Sequence, residues 1–370
     1  MVSDVCGRRY ALRILIYAIN GKGMGHLNRT TVIARGVRKY DPTVELRFVV
    51  ASPLLSMVTG AGFDVAKIPD QHHPRGFFAG LSQRPRHFAD LFEALLEVYE
   101  PDVFVSDFAV NAELFRAVKR RGAQLALVLR RQRPLDLLQL NWRPCVRRVD
   151  RFLIPHAASE WPRAQLPRQM RERARYLGPV ERRIDAQSVP EVRSRYAQPD
   201  QPLIVVTIGG GGYREAYPLL TEAARAAEVL RSKDNLSACW VLVYGPYYRD
   251  AIPPSAPLLT RVRYEAHLPE LLAAADCVVC NTGYNTLREL QASGTPAVLV
   301  PRRDSGRDDQ HQRALQYCAD HDAVLAEPTA ASIASAVSAV VGEGSLSRRP
   351  LSADDRSAIL GETFLKALAP

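Results

Sequence analysis

The amino-acid sequence predicts an α/β protein of two Rossmann-like domains facing each other across a cleft. Three observations carry the prediction. Two successive series of short β-branched runs alternate with amphipathic stretches, a Pro-, Asp-, Arg- and Gln-rich segment separates the series, and a glycine-rich loop follows the first strand of each. With 370 residues and 47% hydrophobic composition, the chain is long and apolar enough to bury two cores.

In the first series the apolar runs place strands at Leu12–Ile19, Glu45–Ala51, Val65–Ile68, Val103–Ser106, Gln124–Leu129 and Arg151–Ile154. Helical periodicity fits between them at His26–Lys39, Phe88–Tyr99 and Val110–Arg121. The second series starts afresh with Leu203–Ile208 and continues through Trp240–Val243, Val262–Tyr264, Cys277–Cys280, Ala297–Val300 and Val324–Ala326. Its helices are expected near Glu215–Leu230, Thr286–Ser293 and Asp309–Asp320. The domains therefore read as 1–180 and 203–345, joined by a linker over 181–202 and followed by a tail over 346–370 that either packs back across the linker or stays mobile. Open parallel sheets bind ligands beyond the carboxyl ends of their strands, so the functional residues are sought in those loops.

Composition excludes several classes. No apolar run reaches membrane-spanning length, and Met1–Arg9 has no signal-peptide core, so a cytoplasmic protein is expected. Six scattered cysteines fit a reduced compartment, and Cys277 with Cys280 should point to opposite faces of a strand instead of converging on a metal. The net charge of +10 is concentrated in residues 1–186, which hold 31 Lys and Arg against 18 Asp and Glu. Arg116–Arg151 is the densest part, with eleven basic and two acidic residues. That stretch reads as a solvated face, as a seat for an anionic acceptor, or as peripheral contact with an anionic membrane. It lacks the interleaved aromatics of a nucleic-acid surface, so no nucleic acid is expected.

Three loops carry the chemistry. The first strand runs into Asn20-Gly21-Lys22-Gly23-Met24-Gly25-His26, where alternating glycines let the backbone pass close to a ligand. This is not the dinucleotide fingerprint: the glycine spacing differs, and Ala51-Ser52 stand where an acidic residue would follow the second strand. The second series opens with Thr207-Ile208-Gly209-Gly210-Gly211-Gly212, whose Gly210, Gly211 and Gly212 can offer successive N–H groups to an anion, or form a plain turn. The third loop, Asn281-Thr282-Gly283-Tyr284-Asn285-Thr286, joins an apolar strand to a helix, where unsatisfied N–H groups and the helix dipole favour phosphate. Glu289 lies one turn beyond Asn285, placed to accept bonds from a pair of sugar hydroxyls, and Asp309-Gln310 open the next helix.

The run Gly283-x-Asn285-Thr286-x-x-Glu289, with Asp309-Gln310-x-x-x-Ala314 behind it, resembles the donor-binding signature of GT-B fold glycosyltransferases. The nearest resemblance is to family 28, which includes the bacterial cell-wall N-acetylglucosaminyltransferase, and more distantly to family 1. The resemblance implies diphosphate contacts from Gly283, Asn285 and Thr286, a ribose contact from Glu289 and sugar contacts from Asp309 and Gln310. Family 1 plant enzymes usually carry histidine where this chain has Asn281. Gly23-x-Gly25-His26 is similar to the amino-terminal glycine loop of the same families, with His26 at the histidine position.

On that reading an acceptor hydroxyl loses its proton to His26 as it attacks the anomeric carbon. Asp107, at the end of the strand Val103–Ser106, either orients the imidazole or caps the helix that follows. The expected activity is inverting, metal-independent transfer of a sugar from a nucleotide diphosphate donor, UDP preferred, to a small-molecule, glycan or lipid-linked acceptor. No cofactor is expected beyond the nucleotide sugar as co-substrate. Asp320-His321-Asp322 reads as a surface turn and not as a metal triplet. Two alternatives stand beside transfer: a nucleotide-sugar hydrolase, and a non-catalytic nucleotide-sugar-binding partner subunit. Loops 70–78 and 130–140 are expected to shape the acceptor side.

Overall fold

The computed structural model of the chain describes residues 2–3, 9–19, 23–68, 85–233, 236–253, 256–302, 309–342, 351 and 356–369. The chain divides into two compact units. One takes Met1–Gly21, Gly25–Val180 and Asp355–Pro370; the other takes Lys22–Met24 and Glu181–Asp354. Asn20, Gly21, Lys22 and the loop at 70–78 lie outside the described residues.

A short antiparallel pair, β1 (Val2–Ser3) and β2 (Arg9–Tyr10), precedes the first sheet. That sheet is built from β3 (Arg13–Ala18), β4 (Glu45–Val50), β5 (Asp64–Lys67), β6 (Val103–Asp107), β7 (Gln124–Val128), β8 (Arg151–Ile154) and β9 (Ala174–Tyr176). Its order is β5-β4-β3-β6-β7-β8-β9 and every pairing is parallel. Both faces are covered, which is why the strands read as continuous apolar runs. Along β3, Leu15 and Tyr17 enter one core while Ile14, Ile16 and Ala18 enter the other, the two-residue alternation of a pleated strand. Helices Pro85–Tyr99 and Ala112–Arg120 cover the first face through Phe92, Leu96, Leu114, Phe115 and Val118. Helix Gly25–Tyr40 covers the other through Leu27, Ile33, Ala34 and Val37.

The end of the chain belongs to this first unit. Helix Ser357–Leu368 lays Leu360, Phe364, Ala367 and Leu368 into the same core as helix Gly25–Tyr40. Burying one such phenylalanine contributes on the order of 1.5–3 kcal/mol. Arg151 and Gln124 also donate to the carbonyls of Ala369 and Leu368, both at 2.8 Å. Within a tail expected to cross the linker or to stay mobile, Ser357–Leu368 is thus a core helix.

The second sheet contains β10 (Leu203–Thr207), β11 (Cys239–Val243), β12 (Leu259–Val262), β13 (Cys277–Cys280), β14 (Ala297–Leu299) and β15 (Ala323–Leu325), again all parallel, in the order β12-β11-β10-β13-β14-β15. Helices Tyr217–Lys233 and Ala330–Gly342 pack on one face, and Leu268–Ala274, Tyr284–Ser293 and Gln310–Asp320 on the other. Cys277 and Cys280 fall into opposite cores, and burial pushes the Cys277 thiol up to about 12. Residues 181–202, read above as a linker, are held within this unit. They form helix Val189–Ser194, and Arg193 ties it to Ala274 O at 2.6 Å and to Asp276 Oδ2 at 2.9 Å. The polarity that suggested a solvated linker is used in ion pairs to the sheet's edge loops.

Candidate active site

Each sheet reverses its strand order once, between β3 and β6 in the first unit and between β10 and β13 in the second. At such a reversal neighbouring crossovers depart to opposite faces and leave a crevice beyond the strands' carboxyl ends. Ala18 is paired with Asp107 at the first reversal, and Thr207 with Cys280 at the second. The three loops singled out in the sequence open from these two places.

In the first unit, His26 occupies the first turn of helix Gly25–Tyr40 and Asp107 is the last residue of β6. The His26 Nδ1 lies 3.4 Å from Asp107 Oδ1, long for a hydrogen bond. Arg29, which the sequence reading did not single out, makes the stronger contact. It donates from Nη2 to Oδ1 at 2.7 Å and to Oδ2 at 2.8 Å, and from Nε to Oδ2 at 3.1 Å. The Asp107 and Arg29 side chains are 0% and 2% exposed, against 24% for His26, so the ion pair is inside and the imidazole at the edge. The spacing of His26 and Arg29, three apart on one helical face, is the signal that could have found it.

Asp107 does not cap the next helix. Asn111 does, accepting from Glu113 N at 3.0 Å and Leu114 N at 2.9 Å. The turn between is tight: Ser106 donates its hydroxyl to Ala109 O at 2.7 Å, and Phe108 takes φ 60, a left-handed conformation costly for a bulky residue. Burial would raise the Asp107 carboxyl, but attraction to Arg29 and His26 and the hydrogen bonds from Arg29 outweigh it, holding the group below the usual carboxylate range. Burial lowers the His26 imidazole, and the cations Arg29 and Arg130 add to that against the opposing pull of Asp107. Together these effects favour the uncharged imidazole.

In the second unit, helix Tyr284–Ser293 begins after Gly283, which supplies no capping side chain. Gly283 has an extended backbone with φ −66, and a Cβ there would meet only Thr286 Oγ1 at 3.7 Å. The fold therefore leaves open space at Gly283. Asn285 and Thr286 lie in the same first turn, and Glu289 follows one turn on, buried. The Glu289 Oε1 accepts from Arg182 Nε at 2.8 Å, a partner inside the expected linker that no periodicity marked. Asp309 caps its own helix by accepting from Gln312 N at 3.0 Å, while Gln310 is buried and takes Arg302 N at 3.2 Å on Oε1. Thr282 binds Gln310 O at 2.8 Å and so joins the two loops.

The four-glycine loop is pinned from outside. The carbonyls of Gly210 and Gly211 accept from Tyr247 N at 3.0 Å and from the Tyr217 hydroxyl at 2.9 Å. Gly209 and Gly211 adopt φ +69 and +75, and a Cβ on Gly211 would fall 3.0 Å from Tyr248 N. Gly211 is thus demanded by backbone conformation and by close packing together, whereas Gly209 has open space around it. At the far end of the second sheet, His321 stacks on Tyr317 with ring centroids 4.2 Å apart, closing a helix.

Comparison with known proteins agrees with this architecture. Residues 205–346, nearly all of the second unit's sheet and helices, match the Glycosyltransferase family 28 C-terminal domain. Over 326 residues the chain is 27% identical to a UDP-N-acetylglucosamine--N-acetylmuramyl-(pentapeptide) pyrophosphoryl-undecaprenol N-acetylglucosamine transferase of Frankia casuarinae, covering 82% of this chain and 80% of that one. It is 26% identical over 303 residues to the protein of the same name from Streptomyces coelicolor, covering 76% of each. Among solved structures, the glycotransferase of kitacinnamycin superposes with TM-score 0.62 at 15% identity, over 97% of this chain and 95% of that one. A UDP-GlcNAc 2-epimerase from Neisseria meningitidis gives TM-score 0.64 at 11% identity, over 96% and 100%. The epimerase shares the fold while catalysing a reaction of a different name, so the superpositions speak to architecture alone. With two parallel-sheet units of this topology, the second of them matching the glycosyltransferase family 28 C-terminal domain, and relatives named as sugar transferases over most of its length, the chain is a glycosyltransferase of the GT-B fold.

Proposed function

We propose that the chain transfers N-acetylglucosamine from UDP-N-acetylglucosamine to a hydroxyl of a lipid-linked acceptor, with inversion and with His26 as the base. The observation that carries the reading is the His26–Asp107–Arg29 cluster at the strand reversal of the first unit. A neutral imidazole there can take the acceptor's proton as its oxygen attacks the anomeric carbon. The bond from that carbon to the diphosphate breaks in the same displacement, and UDP leaves with the electron pair. Backbone N–H groups at the start of helix Tyr284–Ser293, with Asn285 and Thr286, suit the diphosphate, and the Gly210–Gly212 loop suits its developing charge. Glu289, its Oε1 held by Arg182, keeps Oε2 to accept a ribose hydroxyl. On the same reading Gly23 and Gly25 contact the donor, and Asp309 with Gln310 contact the transferred sugar. The donor and the lipid-linked acceptor follow the names of the relatives.

The decisive experiment incubates the protein with UDP-N-acetylglucosamine, with and without a pyrophosphoryl-undecaprenol-linked acceptor. Mass-identified glycosylated product, β-linked by NMR, is expected only with acceptor. Stoichiometric sugar release without acceptor would assign the site to hydrolysis instead.

Peripheral membrane contact is part of the same reading. Leu135, Leu138 and Trp142, on one face of helix Pro134–Trp142, are 65%, 39% and 68% exposed. Beside them lies a groove of about 660 Å³ lined by Asn141, Trp142, Arg147, Arg168, Gln169 and Glu172. Exposed apolar side chains beside two arginines suit an anionic bilayer surface. Among the described residues no helix is long and apolar enough to cross a membrane. Co-sedimentation with phosphatidylglycerol vesicles is expected to exceed that with phosphatidylcholine, and Trp142→Ala to reduce it several-fold; equal binding to both vesicles counts against the surface.

A further inference from the structure

The carboxylate at the end of β6 has more than one claimant. Arg29 Nη2 sits 2.7 and 2.8 Å from the two oxygens of Asp107 and 3.4 Å from His26 Nδ1. Two tautomers of a neutral imidazole are compatible with that crowding. If Arg29 donated to Nδ1, the ring would carry its proton on Nε2 and could not act as a base there. Arg29 grips the carboxylate through Nε–H and one Nη2–H, and the second Nη2–H diverges from it, with His26 Nδ1 a long 3.4 Å away. Nδ1 is also 3.4 Å from Asp107 Oδ1, and the carboxylate, whose pull on the ring exceeds that of Arg29, favours the proton on Nδ1 and the lone pair on Nε2.

We propose that Arg29 is the positioning residue of this site: by clamping both oxygens of Asp107 it fixes the His26 ring with Nδ1–H toward the carboxylate and Nε2 available to the reacting hydroxyl. The proposal rests on the base role assigned to His26 above, yet its geometric part can be read without turnover. Among the described residues the charged groups around the imidazole are Asp107 from β6, Arg29 from its own helix and Arg130 from the loop after β7. Arg29 and Arg130 disfavour a charged ring, and burial acts in the same sense. Buried against it, Arg29 also keeps Asp107 ionised, and a neutral carboxyl would no longer dictate the tautomer.

The test is ¹⁵N NMR of the His26 ring in wild type, Arg29→Lys and Arg29→Gln, assigned by loss of the signals in His26→Ala. Wild type is expected to show the Nδ1–H tautomer. Arg29→Gln removes a positive charge, so the His26–Asp107 pair should take up its proton at higher pH, with kcat falling about ten- to a hundredfold and donor KM nearly unchanged. Arg29→Lys keeps a cation against the buried carboxylate and is the variant expected to fold if Arg29→Gln does not. It should titrate near wild type but lose the single tautomer, because a lysine lacks the rigid fork. A wild-type ring protonated on Nε2, or an Arg29→Lys protein with wild-type tautomer and kcat, would overturn the proposal. Full turnover in His26→Ala would remove the base role, while the NMR result would still judge the clamp.

Discussion

Replacing His26 with alanine is expected to lower kcat by about 10²–10⁴-fold with little change in donor KM, the loss typical of a removed general base. The substitution is a clean probe because of how the cluster is wired. Arg29 still engages both Asp107 oxygens, so no buried charge is orphaned, and the imidazole removed is at the cluster's edge. Asp107→Ala would be a poor probe by comparison. It would strand the Arg29 guanidinium in the interior, a change that costs about 3–5 kcal/mol in such pairs. The pH profile checks the same assignment. His26 lies below its ordinary 6.5, and only its neutral form accepts a proton, so kcat/KM should stay level through neutrality and fall as pH drops below 6.5. A wild-type acid limb centred above 6.5, or one that persists in His26→Ala, would point to another group.

The second large effect concerns the fold. Gly361→Ala in the last helix should destabilise the first unit by about 1–3 kcal/mol, the usual cost of overpacking. Helix propensity alone forecasts the opposite sign, a gain of about 0.8–1.0 kcal/mol for alanine over glycine. Packing decides it: a Cβ at Gly361 would fall inside van der Waals contact of Gly36 O and 2.7 Å from Val37 N. Gly36 mirrors this, since its own Cβ would lie 3.1 Å from Gly361 N. Two glycines let helices Gly25–Tyr40 and Ser357–Leu368 touch backbone to backbone. Because His26 begins the first of these helices, the loosened variant should also lose activity. At about 2–4 °C per kcal/mol for a unit of this size, the shift is readable in a thermal melt. Gly342→Ala is the control, because its Cβ would reach nothing closer than Ser338 Oγ at 4.0 Å. Equal melting of Gly361→Ala and wild type would mean the last helix is not docked this way.

Strand detection shows where sequence reasoning holds and where it slips. Cys277–Cys280 and Arg151–Ile154 coincide with the observed β13 and β8, because strands covered on both faces must be apolar along their whole length. The expected Val262–Tyr264 is instead Leu259–Val262. That strand is at the sheet's edge with Thr260 and Arg261 exposed, so a rule that seeks apolar runs slides past it. Helix Leu268–Ala274 was missed for the converse reason: all seven residues are buried, so no polar face gives it a period. Helix Ala330–Gly342, rich in Ala, Ser and Val, is similarly low in contrast.

The candidate site divides in the same way. Glycines before helix starts, an asparagine-threonine turn and a glutamate one turn on are local signals, since spacing along a helix is fixed by the backbone. By itself the sequence thus determined the α/β class, the two strand series, the loops that leave their first strands and the resemblance to GT-B transferases. Only the tertiary structure decided which groups meet: Arg29 with Asp107, Arg182 with Glu289, and the last helix with the first. Those pairings join residues 78, 107 and 325 positions apart, and a local pattern cannot encode which buried charge a distant side chain neutralises or which glycine a distant backbone touches.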